Sequence, residues 1–364
     1  MRRLAAATAL VMTATACSPA ATTTSSTTVP VTSTTTTIPP TTVAPSSTTT
    51  QPTTTTAGSV EGTSFVLPAT REMGPAWEEL FVIPYGVDEA TLGTAPGGEG
   101  LMYGPEYGAQ APDGTWAFLD AAKQRIAYFS EDGEYLNQVP IGPDLLVDGQ
   151  YFQYQLPRFL DDGTLIATGF RGENSTAVLM VKDGMASEMS LAVAVIAKTD
   201  DGSLLYGFDT ANNQVEVDLA AATVTPVEFF RSRTGDRYRL TLADQTLHIE
   251  QPDADPPSDR SLAILAPDPP GGGAFASAEL ASGVDGDLYL FMLGIAQDDE
   301  SLQLGGYTTI HPDGGIDNIE TVRDPFSPSD PGSPSHLGVR PGTNDPWLMF
   351  IDEDGARVFG LRAP

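Results

Sequence analysis

The sequence is poor in the side chains that carry most protein chemistry. It holds one cysteine, Cys17, so no intramolecular disulfide can form and the fold must rest on its apolar core. Its three histidines, His248, His311 and His336, show no H-E-x-x-H spacing, which argues against a zinc site of familiar type. No serine sits in G-x-S-x-G, and neither S-x-x-K nor a G-x-x-x-x-G-K-[ST] phosphate loop occurs, so the common hydrolase and nucleotide motifs are missing. Basic residues are scarce as well: 18 Lys+Arg stand against 48 Asp+Glu, a formal net charge of -30. A surface of that sign repels nucleic acid and anionic headgroups, and nucleic-acid binding is excluded.

Charge is also missing from one whole region, because no charged residue lies between Arg3 and Glu61. Met1, Arg2 and Arg3 form a basic start, and Leu4 to Ala16 is an apolar stretch too short to span a bilayer; together they read as a secretory signal. It ends Ala14, Thr15, Ala16, Cys17, which resembles the lipobox of bacterial lipoproteins. In that family small residues give the processing peptidase access to the backbone, and the cysteine thiol receives a diacylglyceryl group. The resemblance implies lipid attachment at Cys17 and a place on the outer side of the cell membrane, facing the extracellular space or the cell wall. Ala14 departs from the leucine preferred there, which leaves a non-lipidated secretory signal as the alternative. Ser18 to Ala57 is almost wholly Ser, Thr, Pro, Ala and Val. Such a composition buries too little apolar surface to offset ordering entropy, so a disordered tether is expected. At about 3 Å per residue in polyproline geometry it reaches on the order of 120 Å. The expected organisation is a signal over 1–16, a tether over 17–60 and one domain over 61–364.

Beyond Gly62 the chain is paced by turns. Gly114, Gly133, Gly163, Gly184, Gly202, Gly286, Gly314 and Gly355 all follow an aspartate, and Asp-Gly between apolar runs is a strong hairpin signal. Ala111 to Ile141 shows the unit most fully, with WAFL, RIAYF and EYLNQV separated by turn clusters: three antiparallel strands in a row. Further units begin near Phe159, Ala197, Arg231, Ser282 and Leu337. Repetition at roughly forty to fifty residues predicts an all-β β-propeller, with six blades and seven as the alternative. The last unit is short by a strand, and Phe81 to Tyr85 is expected to supply it, closing the ring with strands from both ends of the domain. Within Ala111 to Ile141, the order PDGTWAFLD then QRIAYFSEDGEYL resembles the repeat of the NHL family, on Arg125, Ile126 to Phe129 and Asp132-Gly133. The resemblance implies a six-bladed fold of NHL or TolB-like type and little about function.

Two features are candidate sites. Arg231, Arg233, Arg237 and Arg239 lie within nine positions of an acidic chain, in a run that reads as a hairpin turning at Thr234 to Asp236. Alternation puts the arginines of each arm on one face, where they would grip a carboxylate, a sulfate or an acidic glycan, or would pair with acids of neighbouring blades. Some six-bladed propellers of the regucalcin-like group hold a divalent cation at the ring centre. Asp298, Asp299 and Glu300, Asp253 with Asp255 and Asp259, and Asp352 with Asp354 are the candidates, against a reading of all three groups as solvated turns. No cofactor is expected, with calcium the one left open. The sequence thus points to a surface-anchored, monomeric binding module for an extracellular protein or glycan, without catalysis. The alternatives are a metal-dependent lactonase or esterase-like hydrolase of the regucalcin-like group, and a wall-associated structural protein.

Overall fold

The computed structural model describes residues 63–66, 77–96, 102–103, 107–142, 154–170, 175–243, 246–255, 257–265, 273–296, 303–317, 320–322, 336–351 and 354–361. The expected signal, Cys17 and the tether lie outside these residues, as do Asp298, Asp299, Glu300 and Asp352.

Six antiparallel sheets follow one another along the chain, each numbered here as a blade and each given from its inner strand outward. Blade 1 is Gly108–Gln110, Trp116–Asp120, Arg125–Phe129 and Tyr135–Pro140. Blade 2 is Tyr154–Phe159, Leu165–Phe170, Thr176–Lys182 and Met185–Leu191. Blade 3 is Val195–Asp200, Leu205–Asp209, Gln214–Asp218 and Thr223–Pro226. Blade 4 is Phe230–Arg231, Arg237–Ala243, Thr246–Gln251 and Ser258–Leu265. Blade 5 is Gly273–Ser282, Leu288–Ala296, Gln303–Ile310 and Glu320–Val322. Blade 6 is His336–Val339, Pro346–Ile351, Gly355–Leu361 and, as its outermost strand, Trp77–Pro84. The propeller has six blades.

The closing strand is the expected one and begins earlier, at Trp77, pairing antiparallel from Trp77↔Leu361 to Pro84↔Gly355. The sequence did not announce a second addition. Thr63–Val66 pairs parallel with Ser258–Leu265 on the outer edge of blade 4, giving that sheet a fifth strand and covering an otherwise open edge. Blade 5 also starts before Ser282, because Gly273–Ser282 forms its inner strand. Blade 4 is the irregular one: its inner strand has two residues, and the inner strands of blades 3 and 5 touch one another past it.

Why the strands read as continuous apolar runs follows from burial on both faces. Along Trp116–Asp120, Trp116 and Phe118 point into the cluster shared with blade 6, whereas Ala117 and Leu119 point into the cluster shared with blade 2. Along Leu288–Ala296, Leu288, Leu290 and Met292 pack toward blade 4, and Tyr289 and Phe291 toward blade 6. A strand flanked by two blades has no solvent face, so strict polar alternation is lost. Most of the large aromatic rings fill these interfaces. Between blades 6 and 1, Trp116 meets Phe81 at 5.5 Å and Trp347 at 4.9 Å, both edge to face. Each such contact adds about 0.5–1.5 kcal/mol beyond area burial.

The arginine that carries the NHL-like resemblance is buried. Arg125 Nε donates to Asp120 Oδ2 at 2.9 Å, Nη1 to Gln138 Oε1 at 2.6 Å and Nη2 to the Thr91 carbonyl at 2.6 Å. Asp120 Oδ1 accepts from the backbone N–H groups of Gly93 and Lys123. Lys123 Nζ donates to the Asp88 and Thr91 carbonyls, so this cluster ties the segment after the closing strand onto blade 1. Burial, and then the Arg125 charge, lower the Lys123 pKa.

Candidate functional site

Every blade sends the loop between its first and second strands to one end of the ring axis. In blades 1, 2, 4 and 5 that loop has the same backbone: the residue before the turn donates four residues on and accepts three residues on, as in Ala111 with Thr115 and Gly114. The aspartate preceding the glycine fixes the turn from within, with Asp113, Asp162 and Asp285 each accepting the N–H two residues ahead. The eight glycines of the Asp-Gly turns named above all adopt positive φ. Four of the turns that pace the sequence, at Gly114, Gly163, Gly202 and Gly286, therefore also build the mouth of the axis.

Below the mouth, all six blades line a narrow axial pocket: Gln110, Arg158, Asp200, Arg233, Ser282 and His336 are its polar groups, one from each blade. The pocket holds about 20 Å³, room for about one water molecule. Its charges are interlocked. Asp200 lies 2.8 Å from Arg233 Nη2 and 3.6 Å from Arg158 Nη1, with all three side chains 9% exposed. The second Arg233 nitrogen, Nη1, pairs with Asp161, whose side chain is 63% exposed. Ser282 Oγ accepts from the Arg233 N–H at 3.0 Å, which joins blades 4 and 5. On the far side His336 Nδ1 lies 3.1 Å from Glu279 Oε2, and the imidazole sits edge-on between the Tyr107 and Trp347 rings. Glu279 also accepts the Leu337 N–H at 2.7 Å, again linking two blades.

Above this pocket opens a larger cavity of about 230 Å³, lined by Pro112, Asp161, Arg233, Val284, Pro341 and Gly342. Arg233 is common to both, floor of one and lid of the other.

The four candidate arginines are not brought to one place. Arg233 turns into the axis. Arg237 holds Asp253 through Nε and Nη2 and its own backbone N–H, which depresses that carboxyl to about 2. Arg239 pairs with Glu250 and lies 3.7 Å from Glu228, and both Arg237 and Arg239 stack over the Phe229 ring, at 5.4 and 5.2 Å. Arg231 Nη1 donates to the Gly235 carbonyl within its own hairpin. Of the acidic candidates, Asp253 is engaged by Arg237, and Asp354 by Arg357 at 2.6 Å. Among the described residues, no three carboxylate, imidazole or thiol groups converge on one point.

Arg158, Asp200, Ser282 and Gln110 were not picked out from the sequence. Their one local mark is a charged or polar residue next to an inner-strand turn, in Gln155-Leu156-Pro157-Arg158-Phe159 and Lys198-Thr199-Asp200, and such marks are common in solvated strands too.

No curated protein matches the sequence. Among solved structures the chain is similar to virginiamycin B lyase from Staphylococcus aureus, at 11% identity over 71% of this chain and 95% of that one, with TM-score 0.39. It is similar to a protein of unknown function from Bacteroides thetaiotaomicron, at 13% identity over 78% of this chain and 76% of that one, with TM-score 0.42. It is also similar to the WD40 domain of Toxoplasma gondii coronin, at 11% identity over 72% of each chain, with TM-score 0.41. Likeness at this level carries nothing about ligand or reaction. Residues 75–361, from just before the closing strand to the end of the last one, match the family described as "Domain of unknown function (DUF7485)", and the chain belongs to that family.

Proposed function

We propose that this chain is a surface-anchored binding module, attached to the membrane through a lipid on Cys17 and presenting the loop-lined mouth of its propeller to an extracellular partner. The observation that carries the non-catalytic reading is that the axial carboxylate is already held by arginines. Arg158 and Arg233 bring two guanidinium groups to the place where a regucalcin-like hydrolase would need converging carboxylates. A divalent cation there would have to displace guanidinium groups from Asp200, and their fixed positive charge opposes its entry. The Ser/Thr/Pro-rich composition of 17–60 supports the other half of the reading, since such sequences favour extended spacers.

A calcium titration followed by thermal denaturation, with a screen of lactones and esters, tests the first half. The expected result is no metal-dependent rise in melting temperature and no turnover. One-to-one metal binding with a raised melting temperature and lactone hydrolysis would replace this reading by the hydrolase. Membrane partitioning of a Cys17→Ser variant tests the second half. It should leave the membrane fraction, and unchanged partitioning would rule out the anchor.

A further inference from the structure

We propose that the axial mouth binds a monocarboxylate with an apolar substituent, either a small organic acid or the free carboxy terminus of a peptide. The inference rests on reading the propeller as a binding module and names the chemistry of its ligand.

The cavity has a charged floor and an apolar rim. Arg233 forms the floor, and Pro112, Val284 and Pro341, from blades 1, 5 and 6, form most of the rim. Its volume of about 230 Å³ exceeds the ~150 Å³ that holds a benzene ring. The pocket beneath it admits about one water, so a ligand stops at Arg233.

Arg233 is set to present one nitrogen. Its backbone N–H is fixed by Ser282 and its Nη2 by Asp200, both buried. Its Nη1 is held by Asp161, whose carboxylate is mostly in solvent. Asp161 is the solvent-facing end of this pair, so water can hydrate its carboxylate when the contact breaks. Asp200 cannot leave in the same way, since its carboxylate is buried and lies against both guanidinium groups. Asp161 is therefore the exchangeable partner, and its carboxylate occupies the position a ligand carboxylate would take. The planar guanidinium fork suits that group.

Charge sets the valence. With Asp161 turned outward, Arg233 loses one carboxylate from Nη1 while Nη2 stays on Asp200, so one incoming carboxylate restores the charge that left. A dianion overcompensates, inside a chain of net charge -30.

The test is ligand-observed NMR on the full chain with benzoate, benzamide, N-acetyl-Ala-Phe, the amide of that peptide, and sulfate. Benzoate or the acid peptide should bind, and both amides should not. Tighter binding of the peptide assigns a carboxy terminus, and tighter binding of benzoate assigns a small acid. Arg233→Gln should abolish binding. Asp161→Asn, at an exposed position, should tighten binding by about fivefold or more, because the competing carboxylate charge is removed. Amides that bind as well as the acids, sulfate that binds more tightly than benzoate, or Asp161→Asn without a gain in affinity would each overturn the proposal. A calcium-dependent hydrolase activity would defeat the non-catalytic reading while leaving carboxylate binding at Arg233 in place, so the two fail separately.

Discussion

Replacing Asp120 by alanine should be among the most damaging single changes to this propeller. The carboxylate is fully buried, and its partner Arg125 has a side-chain exposure of 4%. Alanine removes the acceptor for Arg125 Nε and for the N–H groups of Gly93 and Lys123, and it leaves the buried guanidinium with Gln138 and the Thr91 carbonyl as hydrogen-bond acceptors and the Tyr135 ring beside it. Breaking one side of a buried pair costs about 3–5 kcal/mol, because the remaining charge stays desolvated. For a domain of this size each kcal/mol moves the midpoint by roughly 2 °C, so differential scanning calorimetry should show a fall of roughly 6–10 °C. Asp120→Asn retains an acceptor oxygen and should fall in between. The double variant Asp120→Ala, Arg125→Met should recover part of the loss, since it removes the stranded charge along with its partner. A fall under about 2 °C for Asp120→Ala, or a double variant worse than the two single losses combined, would refute the reasoning.

Gly355→Ala should weaken ring closure. The residue pairs with Pro84 at φ +151, and a Cβ there would overlap the Ile83 carbonyl oxygen of the closing strand. A loss above about 1 kcal/mol is expected, with faster proteolysis near 77–84, whereas Gly163→Ala, which has open space around it, should cost less. His311 gives a pH signature. Burial lowers its pKa, but hydrogen bonds to Asp287 at 2.8 Å and Asp317 at 3.2 Å outweigh that and raise it above 6.5. Its stabilising contribution is therefore complete below about pH 6.5 and lost as pH rises through the folded pKa. The raised Asp287 pKa, due to burial, acts with the same sign at lower pH. Melting temperature should thus fall between pH 6 and 8 in the native protein and fall less in His311→Gln; equal slopes would remove His311 from the account.

Architecture was legible in the sequence because propellers repeat. Asp-Gly turns at fixed places and apolar runs between them set strand count and direction, and a final unit lacking a strand announced the closure by Phe81 and its neighbours. Arg125 was visible for a local reason: it opens a strand immediately after an aspartate-containing turn. The axial site was not legible. Gln110, Arg158, Asp200, Arg233, Ser282 and His336 are spread over more than 220 positions, and one comes from each blade. Apart from Arg233, conspicuous in the arginine run, each looks locally like an ordinary polar residue.

The arginine run shows the division most clearly. Composition and alternation determined that Arg231, Arg233, Arg237 and Arg239 form one hairpin in an acidic chain. Closure of the ring decided what each does. It turned Arg233 inward against Asp200 and Asp161 of two other blades, and left Arg237 and Arg239 outside with Asp253 and Glu250 of their own blade. Strand patterns are set by neighbours a few residues away and can be read locally. Which charges meet at an axis depends on six blades closing in one register, and that information exists only once the ring is formed.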